Sequence, residues 1–143
     1  MIPIIEIIEH RLPKIIDNFT FDYRDRGQMG KAEGLVVPGE NTLVLRSDVY
    51  EAACRGDGRA RFTACHEFGR FVMHHEVFFA RFREDSDPIY CDAEWQADRF
   101  AGFLMMPRTL ALTVSAAAEA ATRFGMSIPA ARFLLTKYCG EAA

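Results

Sequence analysis

Within RFTACHEFGRFVMHH, residues 61–75, a histidine and a glutamate stand side by side at His66 and Glu67. These two residue types open a His-Glu-x-x-His zinc motif. In that motif the two histidines lie about 40° apart around a helix and about 6 Å apart along it, so both imidazoles reach one metal. The glutamate beside the first histidine then faces the metal-bound water as general base. Position 70, where the second histidine belongs, is arginine. Taken alone, a His-Glu pair is weak evidence, because a helical histidine is more often a satisfied surface or core side chain. A second segment, AEWQADRFAGFLMMP at residues 93–107, sets Glu94, Ala97, Ala101 and Met105 on one helical face. The alanines let another helix approach closely, and a carboxylate ending such a stripe is costly unless a cation or donors meet it. Read by itself, Glu94 is a first-turn glutamate favoured by the helix dipole.

Together the two segments say more. RFTACHEFG, followed after a gap by E-x-x-A-D-x-F-A-x-x-L-M-x-P, resembles the ImmA/IrrE family of metallopeptidase-like proteins. The resemblance runs from GLVVPG and NTLVLRSDVY, through VYEAACRGDGRARFT, to RFGMSIPAARFLLTKY, leaving out roughly the first 30 residues. It implies one α+β, mostly helical, zincin-like metallopeptidase domain over residues 1–143, with a small antiparallel β-sheet. Residue by residue, it implies His66 as the first zinc ligand, Glu67 as the general base and Glu94 as the third ligand, with Arg70 in the second ligand's place.

That departure sets what chemistry is left. A guanidinium stays protonated and offers five donors but no lone pair, so Arg70 cannot ligate zinc. Two protein ligands remain, where a catalytic zinc normally has three and an open position. His74 is displaced about 12 Å along an ideal helix from His66, too far for bonds of about 2.1 Å to a shared ion. Cys91, three residues before Glu94, is a chemically suitable substitute if its backbone turns inward, although the family pattern asks for nothing there. Alternatively Arg70 replaces the metal itself, reaching Glu94, Glu67 or both through charge-assisted bonds. The plainest alternative has Arg70 reaching solvent beside an empty pocket.

The elements that must position these residues follow from periodicity and punctuation. Ile4, Ile5, Ile8 and Leu12 recur at helical spacing until Pro13 interrupts them, which predicts a broken amphipathic helix over roughly the first 19 residues. FDYRDRGQMGKAEG reads as a polar, glycine-punctuated stretch. GLVVPG and NTLVLRSDVY are β-branched and short, predicting an antiparallel hairpin turning at Gly39, Glu40 and Asn41. RGDGRAR reads as a loop or helix start, followed by a helix from Phe62 to about His75 and a connection over 83–88. Asp92 is placed to cap a helix from Ala93 to about Met106, closed by Pro107. An alanine-rich helix over 110–124 ends at Gly125, and Ser127 is placed to cap a last one. Phe62, Phe68, Phe71, Phe100 and Phe103 read as core, Arg55, Arg59 and Arg61 as a solvated basic loop, and Cys65 as packing.

The chain of 143 residues has room for one core. With 50% hydrophobic residues it folds, and a formal charge of -3 supplies no basic field for nucleic acid, so direct DNA binding is disfavoured. Four cysteines without a C-x-x-C pair fit reduced thiols, and no apolar run spans a bilayer, so a cytoplasmic protein is expected. The resemblance implies a degenerate, zinc-deficient member, impaired or inactive as an enzyme. Such a member would hold no cofactor as purified and act by binding a helix-turn-helix repressor or an antitoxin, in phage, mobile-element or toxin–antitoxin settings. Two alternatives stand beside it: an active zinc endopeptidase that cleaves a repressor using an atypical ligand, and a toxin component.

Overall fold

A computed structural model describes residues 1–37, 39–74 and 88–140. The opening isoleucines wind a continuous but uneven helical run. A single α turn, α1 (Ile4–Glu6), passes into a π-helical stretch (Ile7–Arg11) and then a 3-10 turn (Leu12–Lys14) that carries Pro13. Ile4, Ile8 and Leu12 are buried, as their spacing predicts.

The sheet has one strand more than the sequence reading allowed. Strand β1 (Thr20–Arg24) comes first, then a short helix α2 (Arg26–Met29), then β2 (Gly34–Val37) and β3 (Thr42–Arg46). The order is β1-β3-β2. The hairpin is present, β2 running antiparallel to β3 with Val37 opposite Thr42, but β1 joins the other edge of β3 in parallel, from Thr20 opposite Thr42. The sheet is therefore small and mixed. β1 was hidden because its alternation, Phe21 and Tyr23 on one face, sits among turn-forming residues. Both rings are anchored by Tyr50, Tyr23 stacking at 4.9 Å and Phe21 tilting at 5.7 Å between centroids. β3 is the buried centre, with Leu43, Val44 and Leu45 all inaccessible.

β3 stops at Arg46, and the residues read as its continuation instead form helix α3 (Ser47–Cys54). The central helix α4 (Gly58–His74) also begins earlier than expected, because Asp57 accepts a hydrogen bond from the Ala60 N–H at 2.8 Å and caps it. The expected extension to His75 and most of the connection over 83–88 lie outside the described residues. Helix α5 (Ala93–Met105) matches its prediction: the Asp92 carboxylate accepts from the Trp95 N–H at 2.8 Å, and Ala97, Ala101 and Met105 are buried.

Beyond Pro107 the expected alanine-rich helix is two pieces, α6 (Arg108–Ala111) and α7 (Ala117–Phe124). Gly125 ends α7 at φ 65, a left-handed position, and the Met126 N–H reaches back to the Ala121 carbonyl at 3.1 Å. Helix α8 (Ile128–Gly140) follows, Ser127 accepting from the Ala130 N–H at 3.3 Å. It is pinned to the end of α5 by the buried Tyr138 hydroxyl, which donates to the Met106 carbonyl at 2.7 Å. α4 thus lies against α5 on one side and against β2, β3 and α3 on others. That arrangement puts one helix bearing His66, Glu67 and Arg70 beside another bearing Glu94.

Candidate functional site

Helical spacing brings His66 and Arg70 to the same side of α4, and close packing on α5 sets Glu94 opposite them. The His66 Nε2 lies 3.2 Å from Glu94 Oε2. Two ligands of a tetrahedral zinc are about 3.3 Å apart, so this pair keeps the separation a metal would require. Arg70 Nε lies 3.5 Å from Glu94 Oε1, and its Nη1 is 3.8 Å from Glu67 Oε2. Arg70 therefore turns inward to the two carboxylates rather than to solvent.

Asp98 completes the group and was missed in the sequence, although its signal was present: it lies one turn after Glu94, four residues on. Its Oδ1 is 2.8 Å from His66 Nδ1, so a ring protonated at Nδ1 donates to Asp98 and turns Nε2 toward Glu94. A carboxylate in this position orients a histidine and fixes its tautomer.

Glu67 sits differently from a base that faces water. It is 5% exposed, and its Oε2 has no hydrogen-bond partner. The approach of Arg70 at 3.8 Å is an ion pair too long to be a hydrogen bond. Burial pushes the Glu67 carboxyl above the ordinary carboxylate range, the neighbouring Arg70 guanidinium and His66 oppose this, and Glu94 adds to it. The roof over it is Gly34 of the edge strand β2, where an added Cβ would stand 2.3 Å from Glu67 Cγ. A cleft of about 250 Å3 opens beside these groups, lined by Glu33, Gly34, Thr63, His66, Glu67 and Asp98.

Other sequence-level candidates lie apart. Cys91 is exposed in a 3-10 turn (Ile89–Cys91), and among the described residues no three His, Cys, Asp or Glu side chains are grouped to hold a metal ion. His74, on the last turn of α4, is half-buried, and burial together with nearby Arg70 lowers its pKa against a hydrogen bond with Gln96. Cys65 is buried packing, its thiol pushed up to about 12 by burial. The basic loop is corrected most sharply at Arg61. That residue is 5% exposed, donating to the Gly125 carbonyl at 3.1 Å and to the Ile2 carbonyl at 2.7 Å, because α4 starts early enough to turn it inward. Arg59 pairs with Glu33 at 3.0 Å and Arg55 with Glu51 at 3.7 Å. Of the phenylalanines, Phe71 is core and Phe62 and Phe68 pack against it, whereas Phe103 is exposed.

Zinc is the ion that such a helix pair implies, and the residues present do not fit it. The His66–Glu94 pair has the right separation, but the next group on that face is a guanidinium, which repels a divalent cation and donates where a ligand must accept. A mostly helical domain with a small mixed sheet, carrying His-Glu on one helix and a facing glutamate on the next, is of the zincin-like, metallopeptidase-like class. The family profile described as the IrrE N-terminal-like domain, a peptidase family, matches residues 16–136, and the chain belongs to that family. The match begins before β1, so it includes a strand that the motif resemblance left out. No curated protein and no solved structure matches the chain significantly. Among the described residues, no helix is long and apolar enough to cross a membrane.

Proposed function

We propose that this domain is a degenerate metallopeptidase in which an internal arginine stands in for the metal, and that it acts by binding another protein. The observation that carries this reading is the inward turn of Arg70 to Glu94 and Glu67. One cation there relieves two facing carboxylates as a metal would, yet supplies neither an activated water nor a Lewis acid. The side chains that remain can hold a shape and offer a charged cleft. Family resemblance names the partner class as a helix-turn-helix regulator or an antitoxin, and the acidic balance of the chain favours protein over DNA as its target. An active endopeptidase completed by Cys91 has less support, since that thiol is exposed and outside any three-ligand group among the described residues.

Metal analysis tests the reading directly. Protein purified without added metal should carry far less than one zinc per chain and keep its circular dichroism spectrum in a chelator. Arg70→His should then raise zinc affinity sharply, since His66 and Glu94 already have the separation that two ligands would need. Stoichiometric zinc in the parent would overturn the pseudo-enzyme, and an Arg70→His variant that binds no more zinc than the parent would dissolve the pairing of His66 with Glu94.

A further inference from the structure

The His66 cleft of about 250 Å3 carries its acids at different depths. Asp98 and Glu33 stand at the lip, their side chains 60% and 33% exposed, and Glu67 lies at the floor, 7% exposed. Such a group needs cations, and the chain supplies too few. Arg59 and Arg46 serve Glu33, although Arg46 makes its closer bonds to Asp48. Arg70 is divided between Glu67 and Glu94, and His66 between Glu94 and Asp98. Within these ion pairs, among the described residues, three guanidiniums and one imidazole face five carboxylates. The deficit is most costly at the floor, where Glu67 Oε2 is buried without a hydrogen-bond partner. Phe62, half-buried, supplies an apolar flank to the same cleft.

We infer that this cleft takes a basic side chain of the partner protein, an arginine or a lysine, with its stem along Phe62 and its charged head toward Glu67, Asp98 and Glu33. The inference rests on the reading that the domain works by binding a protein, and it names the residue type that is recognised. A buried acceptor without a donor gains from a ligand that brings one, and a charged donor gains about twice as much as a neutral one. Long basic side chains also join an apolar stem to a charged tip, which matches a cleft with an aromatic flank and an acidic floor. A metal ion would need three protein lone pairs converging at about 2.1 Å, and no such group exists among the described residues. An apolar side chain would leave the Glu67 carboxylate more deeply buried and still unmet.

The test titrates blocked alanine pentapeptides into the full chain, purified without added metal, and follows the amide resonances of Gly34, Thr63 and His66. Peptides with arginine or lysine at the centre should shift these signals saturably, with a Kd on the order of 1 mM, the scale that a single side chain allows. Citrulline at the centre keeps the shape of arginine without its charge and should bind about tenfold more weakly. Glu67→Gln should weaken the arginine peptide about tenfold, and Asp98→Asn, at the exposed lip, about threefold. Both changes preserve side-chain shape, and a thermal melt verifies the fold. Absence of saturable shifts, citrulline binding as tightly as arginine, or either variant binding as tightly as the parent overturns the inference. So does propylguanidinium binding where the arginine peptide does not, which would assign the cleft to a free small cation. Stoichiometric zinc with peptide hydrolysis would overturn the pseudo-enzyme reading, whereas failure of these titrations on zinc-free chain overturns only the basic-side-chain assignment, which keeps the two failures apart.

Discussion

Glu67 is the residue whose chemistry is most changed by its setting. In a working hydrolase of this class a base at this position must meet water, but here β2 covers it and one oxygen has no hydrogen-bond partner. Burial raises its pKa in the folded state above that in the unfolded chain. The folded protein then binds more protons than the unfolded one between the two values. The stabilisation is therefore fully present below the ordinary carboxylate range and is lost as pH rises through the folded value. Glu67→Gln imitates the protonated form and removes that loss. The variant should be more stable than the parent at pH 7 and nearly equal to it below about pH 4, where the carboxyl is protonated in both states. Urea midpoints at the two pH values measure this, and a difference independent of pH would count against the burial account.

At the scale of elements, the edge strand and the central helix are fitted to each other by a missing side chain. Gly34 lies so close over α4 that any Cβ would overlap Glu67 Cγ and lie within 2.8 Å of its Cδ. Gly34→Ala must therefore lift β2 or turn Glu67 out. A cost of about 1 to 3 kcal/mol is expected from such overpacking. Combining Gly34→Ala with Glu67→Ala should recover most of it, because the clash is with that one side chain; denaturant titration of the two single variants and the pair reads the coupling, and additive losses would show that the strand is strained for another reason. The same scale shows which local signals were readable. Caps and breakers placed α5 within a residue, through Asp92 and Pro107, and α8 through Gly125 and Ser127. β1 and α3 were not readable in the same way. One is a period-2 run embedded in turn formers, and the other is a helix directly abutting a β-branched strand at Arg46.

For the whole molecule, Arg61 joins parts of the chain far apart in sequence. From α4 it holds the N-terminal segment at Ile2 and the corner between α7 and α8 at Gly125, so three regions meet on one guanidinium. Arg61→Met keeps much of the length and apolar stem but removes the guanidinium's bonds to two carbonyls, of which that of Ile2 keeps the Ile4 N–H at 3.0 Å. A loss of roughly 2 to 3 kcal/mol follows from two unmade hydrogen bonds at a buried position. Equilibrium unfolding measures it, and a change of only a few tenths would mean that the contacts are dispensable. The family match beginning at residue 16 fits this architecture, since β1 is built into the sheet that backs α4, whereas the helical run before it is fastened on by Arg61 and by burial of Ile4 and Ile8.

Composition and punctuation were enough for an α+β, mostly helical class and for the two motif-bearing helices, because helical periodicity and capping are local properties, whereas placing His66 and Glu94 in one site came from the resemblance to the ImmA/IrrE family. They also settled that Arg70 cannot be a ligand, because that follows from its side-chain chemistry alone. Whether Arg70 points inward or outward was beyond them, as were the place of Asp98 against His66, the burial of Glu67 under Gly34 and the inward turn of Arg61. Each depends on which face of α4 meets which neighbour. That is decided by packing among elements distant in the chain, where a shift of a few ångströms separates an exposed surface cation from one held between two carboxylates.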